Sequence, residues 1–314
     1  MLPAVSVITP TYNRADFLPR AMRSVLAQTF GDWELLILDD GSADGSREIV
    51  EGFRDPRIRY LPRPHRGIAP SRNEAMARSS APLLAFLDSD DVWDPRKLER
   101  QHAFFHGASS EVGVLYTGSR HVDDDGRIHR VVIPPPTGRG RIFDRLLYTH
   151  GIVFSSVMVR REAIDVIGGF NEALISGSDR EWLLRMARRF AFDFLPEALV
   201  EYRLHRGSSM MGDLRARLVL TETILTQYAE ELRRRPRLLA HKYLSLARLH
   251  LRLGETQAAR QAMREAIAAS PGFLPAYLHL ASSYGGWAAW MRLSRARRDL
   301  GDWWGRRGQR QGRA

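Results

Sequence analysis

Apolar runs of strand length at 5–9, 33–38, 58–61 and 83–87 alternate with stretches of helical spacing. From 16 to 28, Phe17, Leu18, Ala21, Met22, Val25 and Leu26 recur at i, i+3 and i+4, which predicts a helix. Helices are also expected at 46–53 and at 71–79, the latter capped by Ser71. This alternation constrains the chain to an α/β fold, with a parallel sheet wound by crossover helices. In open sheets of this kind ligands sit beyond the carboxyl ends of the strands. There the first run ends in Pro10-Thr11-Tyr12-Asn13-Arg14, the second in Asp39-Asp40-Gly41-Ser42 and the fourth in Asp88-Ser89-Asp90-Asp91. The three loops are expected to converge on one sheet edge.

The fourth run is the most pointed. Leu84-Ala85-Phe86-Leu87 stops in three carboxylates within four positions. Like charges so close repel, and a hard divalent cation shared with phosphate oxygens relieves that. A second account is an acidic turn ahead of a helix, with Asp94 as N-cap and Pro95 at N1. No Gly-x-Gly-x-x-Gly or Gly-x-x-x-x-Gly-Lys-Ser/Thr follows the first run, so neither a dinucleotide fingerprint nor a P-loop is present.

The chain has no cysteine, which excludes disulfides and thiolate metal sites and fits a reducing compartment. Neither a signal peptide nor a spanning apolar run is read, so a cytoplasmic protein is expected. Residues 1–210 carry 28 basic and 28 acidic side chains; residues 211–314 carry 19 and 8. The whole excess of +11 therefore lies in the C-terminal third, which suggests an acidic partner for that part.

Five segments, in order, carry a resemblance. They are 5–14, Ser24-Val25-Leu26-Ala27-Gln28-Thr29-Phe30, Leu38-Asp39-Asp40-Gly41-Ser42, Gly67-Ile68-Ala69-Pro70-Ser71-Arg72-Asn73-Glu74-Ala75 and Asp88-Ser89-Asp90-Asp91. Together they resemble the family 2 glycosyltransferases over residues 4–207, which implies the GT-A fold, a Rossmann-like, mostly parallel sheet flanked by helices. The resemblance implies a nucleotide-sugar site with Pro10, Tyr12 stacking on a pyrimidine, Asp40 accepting its N3–H, and Asp88 and Asp90 near ribose and cation. It implies Mn²⁺ or Mg²⁺ as cofactor, held by Asp90 with Asp91 as second candidate. Arg72 is either a phosphate or sugar contact or a solvated helix arginine.

Gly168-Gly169-Phe170-Asn171 followed by Ser176-Gly177-Ser178-Asp179 resembles the family's second block and implies that Asp179 is the catalytic base. Members often carry Glu-Asp where this chain has Ser178-Asp179, and Glu181 is the other carboxylate at hand. Arg203-Leu204-His205 matches a closing Arg-x-His segment and implies His205 near the metal. Asp123-Asp124-Asp125-Gly126 reads as a hairpin turn, not a second metal site. Segments 192–195 and 199–203 read as edge strands.

One long helix is expected from 214 to 233. Tyr243, Leu246, Ala247, His250, Gly254, Ala259, Met263, Ala266 and Pro271 fit one tetratricopeptide-like repeat within a helical region at 211–285. The tail at 286–314 combines Trp287, Trp290, Trp303 and Trp304 with eight arginines, which suits an anionic membrane surface at the inner face of the cell membrane. The expectation is an inverting, metal-dependent enzyme that moves a sugar, UDP-linked for preference, to a hydroxyl of a glycan or lipid-linked acceptor, with no nucleic-acid partner. A non-catalytic nucleotide-sugar-binding scaffold and a sugar nucleotidyltransferase are the alternatives.

Overall fold

A computed structural model describes residues 2–149, 151–204 and 213–284. The chain divides into two compact units, 1–210 and 211–314. In the first, strands β1 (Val5–Thr11), β2 (Trp33–Asp39), β3 (Ile58–Pro62) and β4 (Leu83–Phe86) pair in parallel in the order 3-2-1-4. Beyond β4, the sheet continues through β8 (Met158–Arg160), β6 (Val112–Val122), β9 (Ala191–Arg203) and the two-residue β5 (Val92–Trp93), while β7 (Ile128–Val132) pairs with β6. β8 is antiparallel to both β4 and β6, and β9 is parallel to β6. The carboxyl ends of β1, β2, β4, β6 and β9 therefore point to one edge.

The helices of this unit are α1 (Leu18–Leu26), α2 (Ser46–Gly52), α3 (Ile68–Arg78), α4 (Lys97–Gly107), α5 (Phe143–Tyr148), α6 (Arg161–Ile167) and α7 (Ser178–Arg189). β1 is buried along its whole length, as a central strand covered on both faces must be. Val5, Val7, Leu35, Ile37, Ala85 and Leu87 face Leu18, Ala21, Met22 and Val25 of α1 in one core. Phe86 meets a second cluster, with Phe154, Phe170 and Trp182 at ring separations of 4.7, 5.9 and 5.6 Å. Burying side chains of this size contributes about 1.5–3 kcal/mol each.

Two local readings change. Ser71 does not cap α3, which starts at Ile68; the Ser71 hydroxyl bonds back to the Gly67 carbonyl from inside the helix. The two segments read as edge strands are one strand, β9, whose register slips where Pro196 and Glu197 fall out of the ladder with β6. Proline has no N–H to give there. Asp123 and Gly126 close the turn between β6 and β7 as expected, with Gly126 at φ +80°.

The second unit is helical: α8 (Leu214–Gln227), α9 (Ala229–Arg233), α10 (Pro236–Arg252), α11 (Thr256–Ala269) and α12 (Leu274–Tyr284). The single helix expected over 214–233 is interrupted at Tyr228. α10 and α11 pack through Leu244, Ala247, Leu251, Ala259, Ala262 and Met263. The turn between them uses Gly254 at φ +80°, a left-handed position that favours glycine. The tail at 286–314 lies outside the described residues, and among these no helix is long and apolar enough to cross a membrane.

Lys97 opens α4 fully buried, with Nζ 2.7 Å from Gln101 Oε1 and 3.9 Å from the Trp93 ring centre. Burial pushes its ammonium well below the usual lysine range. The unfolded chain, with a value of about 10.4, then binds the proton more tightly. Stability accordingly rises with pH between the depressed and free values, and below that window the full cost of a buried charge is present. Lys97→Met is thus expected to raise the melting temperature more at about pH 6 than at about pH 9. An equal difference at both would show that Lys97 titrates as a free lysine.

Candidate active site

At the end of β4 the chain turns on itself, with Asp91 N–H donating to the Asp88 carbonyl at 3.0 Å. Ser155, fully buried just before β8, ties the turn at both ends: its Oγ accepts from Asp88 N at 3.0 Å and donates to Asp91 Oδ2 at 2.5 Å. Asp91 Oδ1 accepts from Arg203 N at 3.0 Å. The Asp91 carboxylate is 1% exposed and turned into the sheet, each oxygen already bonded. Burial, then Asp90 and Asp88, push it well above the usual carboxylate range. In this arrangement the Asp91 carboxylate braces the turn.

Asp88 faces the other way, its side chain 30% exposed, and its Oδ1 accepts from Arg72 Nη2 at 2.6 Å. Arg72 is not a solvated helix residue. Only 2% exposed, its guanidinium lies 4.4 Å from the Phe154 ring centre and 5.4 Å from that of Phe170. Burial raises Asp88, Arg72 opposes this, and Asp90 and Asp179 add to it. A carboxylate from α7 therefore shares the electrostatic surroundings of the β4 turn.

α7 opens after Gly177, at φ +76°, with Asp179 and Glu181 in its first turn. Glu181 is buried and holds Arg185 by both oxygens, at 2.8 and 3.0 Å. That pairing engages both of its oxygens. Asp179 is half-buried, and its charge reaches both Asp88 and Tyr202. Tyr202, which sequence reasoning missed, is pushed up to about 12 by burial, then by Asp91, Asp88, Asp90 and Asp179. A phenol so surrounded keeps its proton and can act as a donor. Its place beside Arg203 in β9 was the available signal.

A second group sits at the ends of β1 and β2. The Tyr12 ring is 43% exposed and stacks on His65, with centroids 4.1 Å apart. The Asp40 carboxylate is 4% exposed and accepts the N–H groups of Arg66 and Gly67 at 2.9 and 2.7 Å, with Arg63 Nε at 3.3 Å and His65 Nδ1 at 2.8 Å. Through those donors Asp40 anchors the loop that leads into α3. Pro10 is buried in β1 opposite Leu38, between the hydroxyls of Thr9 and Thr11, which are buried with no hydrogen-bond partner among the described residues. His205 lies outside the described residues.

α3 joins the two groups, since Asp40 holds its entry and Asp88 holds Arg72 one turn on. Among the described residues no three carboxylate or histidine groups form a metal cage. Mg²⁺-type ions are commonly held by one or two carboxylates plus substrate phosphates, and Asp88 with Asp90 fits that donor set.

A sheet of this order, with an acidic edge facing a helix-borne carboxylate, defines a GT-A-type transferase. Residues 6–168 match Glycosyl transferase family 2, and the chain belongs to that family. It is 36% identical over 66% of its length to TuaG of Bacillus subtilis, a glycosyltransferase named for teichuronic acid biosynthesis, and covers 81% of that protein. To the Escherichia coli glucosyltransferase WfgD, named as acting from UDP-Glc on GlcNAc-diphosphoundecaprenol, it is 33% identical over 51% of its length and covers 62% of the relative, less than two thirds. Among solved structures, TarS 1–349 of S. aureus with UDP-GlcNAc has a TM-score of 0.61 at 22% identity, covering 86% of this chain and 81% of that one. PcManGT of Pyrobaculum calidifontis, a mannosyltransferase in complex with GDP-Man and Mn²⁺, scores 0.52 at 21% identity, covering 91% and 80%. At such identities the likeness speaks to fold alone.

Ser155→Ala would leave Asp91 Oδ2 and the Asp88 N–H unpaired in a buried place, at a cost of about 1–3 kcal/mol. Urea unfolding should show a lower midpoint with an unchanged slope. An unchanged midpoint would mean that Ser155 does not brace the turn.

Proposed function

We propose that the chain is an inverting, metal-dependent transferase that moves a sugar from a UDP-sugar to a hydroxyl of a glycan or lipid-linked acceptor. The observation that carries this reading is that Asp88 and Asp90 on the β4 turn and Asp179 at the start of α7 share one electrostatic neighbourhood. The donor class draws support from the names of WfgD and TarS, and the metal from the complex of PcManGT. In this proposal the cation is Mn²⁺ or Mg²⁺, held by Asp90 with Asp88. When bound, it offsets the charge that develops on the leaving diphosphate.

The chain's own groups divide the remaining work. The open face of the Tyr12 ring takes the base. Asp179 accepts the proton of the acceptor hydroxyl as that oxygen bonds to the anomeric carbon and the bond from that carbon to the diphosphate oxygen breaks on the opposite side. Such a displacement inverts the anomeric centre. The Tyr202 phenol keeps its proton beside the acidic cluster and is available there as a donor. We also propose that the Trp- and Arg-rich tail keeps the enzyme at the cytoplasmic face of an anionic membrane, where a lipid-linked acceptor lies.

A thermal-shift screen of UDP-glucose, UDP-GlcNAc and GDP-mannose with Mn²⁺ should raise the melting temperature for a UDP-sugar, because a ligand that binds only the native state stabilises it. Asp90→Ala should abolish the Mn²⁺-dependent part of that rise. Asp179→Asn should bind donor as the wild type does and lose transfer by roughly 10²–10⁴-fold. Normal turnover in Asp179→Asn would remove that residue as the base.

A further inference from the structure

Asn73 follows Arg72 on α3 but reaches away from the donor side. Its Oδ1 accepts the Phe170 N–H at 2.7 Å, and its Nδ2 donates to the Phe170 carbonyl at 3.0 Å and to Glu172 Oε1 at 2.9 Å. One side-chain amide thus satisfies both backbone groups of a residue 97 positions away. The neighbouring Gly169 has no space for a side chain. A Cβ there would stand 2.4 Å from Asn73 Oδ1 and 2.9 Å from Asn73 Cγ, and the three atoms nearest to it all belong to Asn73. Gly169 is outside the left-handed region, so its lack of a Cβ serves close approach rather than backbone conformation.

From the opposite side the same loop is held by α7. Arg185 donates to the carbonyls of Ile167 and Gly169 at 2.6 and 2.5 Å, and Trp182 Nε1 to that of Gly168 at 3.0 Å. The Phe170 ring stacks on Trp182 at 4.7 Å and lies 5.4 Å from the Arg72 guanidinium. α3 therefore holds the donor-side turn through Arg72 and Asp88, and the segment that leads into the Asp179 helix through Asn73.

We propose that Asn73 is a positioning residue that sets the placement of Asp179 relative to Asp88 and Asp90 by locking the 167–172 loop to α3. It touches neither donor nor acceptor. This inference rests on the function proposed above. A shift of the loop moves the base away from an acceptor hydroxyl, which needs fixed geometry, and affects water, a small and mobile acceptor, far less. Loss of the lock accordingly changes how the donor is partitioned, not how it is bound.

The test uses full-length protein with Mn²⁺, UDP-glucose and UDP-GlcNAc as donors, and GlcNAc on a short-chain lipid diphosphate as acceptor. In Asn73→Ala, kcat for transfer should fall at least tenfold while donor Kd by calorimetry stays within twofold, so the ratio of donor hydrolysis to transfer rises. Gly169→Ala should give the same change in ratio. Added to Asn73→Ala, it should change the ratio less than twofold further, because the atoms it strikes are gone. A merely structural role would lower active-site content and move hydrolysis and transfer equally; an unchanged ratio in Asn73→Ala, or independent effects in the double variant, overturns the inference. If the wild type transfers no sugar, the functional reading falls and the inference with it.

Discussion

A buried guanidinium must find a counter-charge, and the candidate site is arranged around how Arg72 finds one. Its planar cation lies against Phe154 and Phe170 and ends on Asp88. Removing either partner of such a pair would strand a charge in a place poor in water. The pair therefore dictates where α3 sits over the sheet and which way Asp88 turns. The aromatic cluster continues through Phe170 to Trp182, so the same contact that orients a donor-side carboxylate also seats the helix that carries Asp179.

Most of the first unit was legible because strand and helix periods alternate cleanly and each strand ends in polar residues. The parallel order and the common edge of Asp88, Asp90 and Asp179 follow from that pattern and from the family resemblance. What the pattern does not carry is the direction in which a carboxylate turns. Asp91, Asp40 and Glu181 share composition and position with the residues that face the site, yet Ser155, the backbone at Arg66 and Gly67, and Arg185 draw them inward. Ser155 and Asn73 were missed for a related reason. Each acts on backbone groups far away in the chain, and a short polar side chain gives no sign in the sequence of which distant N–H it will meet.

The two units rest on different physics. The first is a sheet whose irregular places coincide with function, as where β9 slips its register shortly before delivering Arg203 N to Asp91. The second relies on small residues: Ala247, Ala259 and Ala266 are fully buried and let α10 and α11 approach closely. Such spacing is legible as helix but specifies neither the break at Tyr228 nor the start of α9, which depend on packing.

The strand β7 has a consequence of a different kind. Among the described residues it pairs only with β6, so its other side is an open edge there, with Ile128 and Val131 exposed on it. An open apolar edge is a template on which another chain can add a strand, the first step of aggregation. Here the edge is five residues long and carries His129 and Arg130, and Pro134-Pro135-Pro136 follow just after its end. Prolines cannot donate to a growing ladder, so this stretch acts as a stop against unwanted pairing.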